Sequence, residues 1–217
     1  MQRDGQGFFI AFEGLDGCGK TTQLKKTADW LCQEGISVLC TREPGGTEVG
    51  KNIRSILLDP ANSNLVDQSE LLLYLADRIQ HLQECILPAK RAGKVVLCDR
   101  FHDATVAYQG YGRQLDLTGI HSIVQKWIAP HYPEITVLLE IAPEIAIRRI
   151  KQHGEIGDRL EQESALFFRR VSAGYRTLVE KMPDRFICVD ATESIETIHQ
   201  KIVSDLSKIL KLKSSVS

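Results

Sequence analysis

Gly14-Leu15-Asp16-Gly17-Cys18-Gly19-Lys20-Thr21 carries glycine, lysine and a hydroxyl in the spacing G-x-x-x-x-G-K-[ST]. Each type has a chemical reason to be there. Glycines let backbone N–H groups converge on phosphate oxygens in conformations that side chains block. Lys20 supplies a point charge to the terminal phosphates, and the Thr21 hydroxyl is a candidate Mg²⁺ ligand. From average composition the pattern arises by chance in about one chain of this length in a hundred, and here an apolar run precedes it and a helical pattern follows. Asp116-Leu117-Thr118-Gly119 spells D-x-x-G but opens a helical pattern, and no N-K-x-D segment exists. A signalling GTPase is therefore not expected, and ATP is the nucleotide assigned to Gly14–Thr21.

In an open parallel sheet, ligands gather beyond the carboxyl ends of the strands. One apolar run ends in Arg42-Glu43-Pro44-Gly45-Gly46-Thr47 and another in Asp99-Arg100, a carboxylate for Mg²⁺ or ordered water beside a phosphate-binding guanidinium. A single strand-end arginine is as readily a surface ion pair. Arg42, Arg54 and Arg100 together point to an anionic second substrate. Tyr74 and Arg78 lie one helical turn apart and could grip a planar ring; equally, Tyr74 could be core and Arg78 a solvated charge. The glycine-flanked stretch Phe101–Arg113 adds Thr105, Tyr108 and Gln109, able to stack on or hydrogen-bond a base. Arg148, Arg149, Lys151, His153, Asp158 and Arg159 surround Gly154 and Gly157, as in a lid that closes over phosphates and excludes water. An exposed charged helix end is the plainer alternative.

The elements that must position these groups follow from periodicity. Phe8–Glu13, Ile36–Thr41, Val95–Asp99, Thr136–Ile141 and Arg185–Asp190 read as strands. Between and after them, helical spacing marks Lys20–Gln33, Glu48–Leu58, Gln68–Arg91, Leu117–Ala129, Glu144–Gln152, Glu161–Lys181 and Ile195–Leu212. In the second of these, Val49, Ile53, Ile56 and Leu57 are expected inward; Leu71, Leu72, Leu75, Ile79 and Leu82 carry the third, which Pro88 interrupts near its end. Strands alternating with helices predict an α/β fold, a three-layer α/β/α P-loop NTPase with a five-stranded parallel sheet. The expected organisation is one domain, 1–217, with a lid at about 148–160 and a frayed tail at about 211–217.

A length of 217 residues suits one such domain, and a formal charge of −1 argues against a large nucleic-acid footprint. None of the six cysteines shows C-x-x-C spacing; they are expected to be small buried hydrophobes in a reducing compartment, with no role for the Cys18 thiol. The polar N-terminus is not read as a signal peptide and no run reaches the length of a membrane span, so a cytoplasmic protein is expected, with no membrane partner.

From about Phe8 to Leu210 the chain resembles the thymidylate kinases. The resemblance rests on Phe12-Glu13-Gly14-Leu15-Asp16-Gly17, Thr41-Arg42-Glu43-Pro44-Gly45-Gly46-Thr47, Asp99-Arg100, Ala107-Tyr108-Gln109-Gly110-Tyr111-Gly112-Arg113 and Asp158-Arg159-Leu160-Glu161. It implies phosphorylation of dTMP by ATP and Mg²⁺, and a homodimer. By match to family positions, Tyr74 stacks on thymine, Arg78 bonds its carbonyl edge, and Thr105 and Gln109 complete the base contacts. Arg54 and Arg100 hold the dTMP phosphate, Asp16 and Glu43 lie near the sugar and metal, and Tyr108 crowds the 2′ position. Two departures stand out. Gly17 occupies a position where some members carry an arginine, which aligns the loop with the bacterial class that draws catalytic charge from its lid. In that class an arginine commonly precedes the lid glycine, yet His153 does so here, which leaves Arg149, Lys151 and Arg159 as candidates beside Lys20 and Arg100. The rival expectations are a kinase of the same fold with another acceptor, such as a different monophosphate or a deoxynucleoside, and an ATP-binding switch that transfers nothing.

Overall fold

All five apolar runs form strands, and all five lie parallel in one sheet, in the order Val38–Arg42, Val95–Asp99, Phe8–Gly14, Ile135–Glu140, Phe186–Asp190. The computed structural model describes residues 7–152 and 158–211. Along the chain come β1 (Phe8–Gly14), α1 (Lys20–Gln33), β2 (Val38–Arg42), α2 (Glu48–Leu58), α3 (Asp67–His81), α4 (Leu87–Arg91) and β3 (Val95–Asp99). Then follow α5 (His102–Thr105), α6 (Leu117–Trp127), β4 (Ile135–Glu140), α7 (Pro143–Gln152), α8 (Ala165–Lys181), β5 (Phe186–Asp190) and α9 (Ile195–Leu210).

Successive strand residues face opposite sides, so each central strand feeds two cores. Phe9, Ala11, Val96, Cys98 and Leu138 pack with α3, α5 and α8 on one face. Ile10, Phe12, Leu97, Val137 and Leu139 pack with α1 and α9 on the other. Near-continuous burial of β1, β3 and β4 is what helical cover on both faces requires.

Several expectations are corrected here. Leu57 and Leu75 are buried, but Val49, Ile56 and Leu72 stay exposed, because the apolar stripes of α2 and α3 are wider than the surface they cover. Only Cys18 and Cys98 are buried; Cys40 and Cys188 lie on the sheet's edge strands and, with Cys32, are exposed. The predicted helix 68–91 does break, but upstream of its proline, in a π turn over Leu82–Ile86. Pro88 has no N–H for the carbonyl four residues back and crowds it, and a widened turn relieves both faults. The stretch read as a glycine-flanked segment is helical: α5 runs into a π-helical Val106–Gly112. Its glycines are contact points. A Cβ on Gly110 would fall 2.4 Å from Leu117 Cδ2, and one on Gly112 would fall 2.7 Å from Phe167 Cε2.

Candidate active site

The loop between β1 and α1 is built from positive-φ glycines: Gly14 at 136°, Gly17 at 77° and Gly19 at 97°. A Cβ on Gly14 would lie 2.4 Å from the Leu139 carbonyl oxygen, so this position excludes other residues twice over. Helices α2, α6, α8 and α9 are capped by the side chains of Thr47, Asp116, Ser164 and Ser194. Helix α1 has no side-chain cap and no acidic residue in its first turn, which keeps its positive end open to an anion. Lys20 is nearly buried and donates to the Gly14 and Leu15 carbonyls at 3.2 and 2.9 Å. The Thr21 hydroxyl donates to Asp99 Oδ2 at 2.7 Å, so the two candidate metal ligands from separate elements sit side by side.

Arg100 follows β3 in a left-handed conformation, φ 73°. That turn sends its guanidinium back across the loop, where Nη2 donates to Asp16 Oδ1 at 2.6 Å and to the Tyr108 hydroxyl at 2.9 Å. Burial works against the Asp16 charge, but Arg100 and Lys20 outweigh it and hold the carboxyl far below its usual range. Arg54 donates to the Pro44 carbonyl at 2.9 Å. Burial and the neighbouring Arg42 both lower its pKa, a sign of cations gathered without enough negative charge.

Two cavities meet over these residues. One is lined by Tyr74, Thr105, Tyr108, Gln109 and Leu160 among others. The second is a groove along Gly17, Lys20, Thr21 and Asp99. Asp16, Glu43, Arg54 and Arg100 line both. The first cavity thus collects Tyr74, Arg78, Thr105, Tyr108 and Gln109 from α3, α5 and the π-helical turn. Tyr74 and Arg78 are both buried, not solvated.

Arg78 reaches the cavity wall as a held group. It donates to Glu43 Oε2 at 2.7 Å, to Thr105 Oγ1 at 2.5 Å and to the Phe101 carbonyl at 2.9 Å. Glu43 also meets His81 Nδ1 at 2.8 Å, so this wall residue is buried and held from two sides. The basic candidates near the lid are placed differently from one another. Arg149 Nη1 points to the Gly17 carbonyl at 3.4 Å, beside the phosphate loop. Lys151 is exposed. Arg159 lines neither cavity and donates to the Leu57 carbonyl at 2.9 Å and to Glu70 Oε2 at 2.5 Å. His153, Gly154 and Gly157 lie outside the described residues.

Glu13, Glu70, Asp77 and Tyr175 support the site and were not singled out from sequence. Glu70 shares a face of α3 with Tyr74 and Arg78 at four-residue steps, a spacing that was legible. Fully buried Glu13 accepts from the Phe101 and Ala104 N–H groups at 2.7 and 3.2 Å and from the Tyr175 hydroxyl at 2.7 Å, anchoring α5 to β1. Burial and the nearby Asp103 push its pKa up to about 7. A raised carboxyl pKa favours the folded state fully below the unfolded value near 4.5, and that contribution is lost as pH rises through about 7. Glu13→Gln has no charge to bury. Its unfolding free energy in urea, relative to wild type, should therefore rise by about 3 kcal/mol from pH 4.5 to pH 8. A difference that stays flat across this window contradicts the assignment.

A parallel five-stranded sheet, a glycine loop opening onto an uncapped helix and an adjoining cation-lined recess define a P-loop nucleotide kinase. Residues 12–202 match the family model described as Thymidylate kinase. A thymidylate kinase of Trichormus variabilis is 46% identical over 207 residues, spanning 94% of this chain and 98% of that protein. A thymidylate kinase of Pelotomaculum thermopropionicum is 43% identical over 205 residues, 94% of this chain and 95% of that one. The crystal structure of thymidylate kinase from Ehrlichia chaffeensis superposes with a TM-score of 0.76 at 32% identity, covering 93% of this chain and 99% of that chain. The chain belongs to the thymidylate kinase family.

Proposed function

We propose that this protein transfers the γ-phosphoryl group of ATP to a phosphate oxygen of dTMP, giving ADP and dTDP. The observation that carries the reading is the shared wall of Asp16, Glu43, Arg54 and Arg100, where a phosphate groove ends against a recess lined by Tyr74 and Tyr108. A donor and an acceptor bound in these two cavities face each other across two arginines. The acceptor phosphate is ionised at neutral pH, so the transfer needs no general base. It needs positioning and charge neutralisation.

In this reading the loop Gly14–Thr21 binds ATP, and Lys20 leaves its loop carbonyls for the β/γ-phosphates. Arg54 and Arg100 hold the dTMP phosphate. Tyr74 covers one face of the thymine, Arg78 donates to its carbonyl edge, and Thr105 and Gln109 complete the edge contacts. Tyr108 stands over Asp16 and narrows the space beside the sugar. The hydroxyl and carboxylate oxygens of Thr21 and Asp99 suit Mg²⁺, a hard cation that when bound neutralises phosphate charge. Among the lid candidates, Arg149 is the one already against the phosphate loop, and we assign it the approach to the transferring group ahead of Lys151 and Arg159. A homodimer and a cytoplasmic location complete the proposal. The exposed Val49, Ile56, Val66 and Leu72, on or beside α2 and α3, support the first. No described helix is long and apolar enough to cross a membrane.

Coupled ADP release across nucleosides and monophosphates tests the acceptor. The highest kcat/KM should fall on dTMP, with dCMP and free deoxynucleosides lower by at least about 10²-fold. Equal rates across the panel would remove the assignment.

A further inference from the structure

The Glu70 carboxylate, in the first turns of α3, is fully buried yet touches neither cavity. Four donors from three residues converge on it, Gln109 and Arg113 from one turn and Arg159 from further along the chain. Oε1 accepts from Gln109 Nε2 at 2.8 Å and from Arg113 Nε at 3.2 Å. Oε2 accepts from Arg113 Nη2 at 3.0 Å and from Arg159 Nη2 at 2.5 Å. Burial alone would favour its protonated form, but the bonds from Arg113, Gln109 and Arg159 reverse that and lower its pKa. An ionised carboxylate only accepts hydrogen bonds. Gln109 must therefore turn its NH₂ to Glu70, which sends its amide oxygen the other way, and Gln109 lines the acceptor cavity.

We propose that Glu70 is a positioning residue which, by fixing the Gln109 amide, sets the enzyme's discrimination between imide pyrimidines and cytosine. This rests on the reading of the aromatic-lined cavity as the dTMP site. Thymine and uracil present a carbonyl next to a ring N–H, whereas cytosine presents an amino group next to a bare ring nitrogen. Arg78 supplies a donor to the wall, and Gln109, oriented by Glu70, supplies an acceptor. That pair matches the imide edge and opposes the cytosine edge. Without a fixed carboxylate the Gln109 amide could turn over and present a donor instead. Specificity would then live in a residue that never touches the substrate.

Glu70→Gln tests this. Two guanidinium nitrogens converge at the Oε2 position, so the new amide keeps its oxygen there and turns its NH₂ towards Gln109. The Gln109 amide then inverts. The KM for dTMP should rise about 10–100-fold while kcat stays within about threefold, and the dTMP-to-dCMP ratio of kcat/KM should fall at least about tenfold. A merely structural role would not shift that ratio. Adding Gln109→Glu restores a fixed acceptor on the cavity side and should return the ratio to within about threefold of wild type. An unchanged ratio in folded Glu70→Gln, or a double variant no better than the single one, overturns the proposal. Should Glu70→Gln not fold, a crystal structure of the wild-type protein with dTMP decides. Gln109 bridging Glu70 and the thymine N3 supports the proposal. dTMP seated in this cavity with N3 turned from Gln109 overturns it and leaves the acceptor site standing; dTMP bound elsewhere removes the acceptor reading itself.

Discussion

Arg100→Ala should lower kcat for dTMP phosphorylation by about 10²–10³-fold, the loss seen when one preorganised donor to a developing charge is removed. The magnitude follows from where the guanidinium sits. It lies on the wall shared by the phosphate groove and the acceptor cavity, held by Asp16 and Tyr108, with its carbon 4.7 Å above the Tyr108 ring. Burial disfavours its charge, but Asp16 and Tyr108 outweigh that and raise its pKa well above the ordinary value, so it is a permanent cation. Its side-chain partners, Asp16, Tyr108 and Tyr175, are polar groups around the site. Arg100→Lys keeps the charge but loses the planar fork, and should fall between the two. Steady-state kinetics at saturating ATP, with circular dichroism melts to confirm folding, measure this. Wild-type turnover in folded Arg100→Ala would exclude Arg100 from the chemistry.

Glu43→Ala is expected to be the most destabilising single change near the site, by about 3–5 kcal/mol, because it strands a buried cation without its partner. Arg78 is 1% exposed and Glu43 3%, so the pair is desolvated and the lost carboxylate leaves a buried charge behind. His81 loses its Nδ1 partner at the same time and keeps only Thr41, at Nε2. For a chain of this size that loss corresponds to a melting point lower by about 10 °C. Glu43→Gln, which retains an acceptor oxygen, should lose clearly less. A second readout separates this cause from general disruption. Burial and then Glu43 push the Asp77 carboxyl up to about 6, so removing Glu43 should bring its titration back towards the ordinary range. Carbon-13 NMR of the Asp77 carboxyl reads this in the more stable Glu43→Gln variant. A melting point for Glu43→Ala within a degree or two of wild type would show that the buried pair is not what holds Arg78.

The sheet and the phosphate loop were legible because their signals are local. An apolar run of five to seven residues next to a glycine turn reads directly as a buried strand, and the helix following Gly19 begins and ends where its periodicity does. The helical state of Phe101–Arg113 was not legible, because Gly110 and Gly112 read as breakers. Their function is to let Leu117 and Phe167 approach, a tertiary demand that local propensity does not register. The outward turn of Val49, Ile56 and Leu72 was missed for a related reason: an apolar stripe fixes a helical face but not how much of that face is covered.

For the site, position at a strand end or on a helix face was enough to nominate Asp99, Arg100, Tyr74 and Arg78. It could not tell a group that meets substrate from one that holds its neighbour. Arg159 reads as one more lid cation in sequence, yet its carboxylate partner lies 89 positions earlier in the chain. Glu13 and Tyr175, 162 positions apart, and Asp103 with Arg185, 82 apart, likewise carry no spacing signal. Such pairs become visible only once the topology has brought their elements together.

Phosphorus-31 NMR of a mixture of ATP, dTMP, Mg²⁺ and this protein tests the central claim most directly. The account predicts that the β-phosphorus resonance of dTDP grows in step with that of ADP, one for one, while inorganic phosphate stays at the level of a protein-free control. ATP bound without turnover, or inorganic phosphate released with no dTDP, would contradict it.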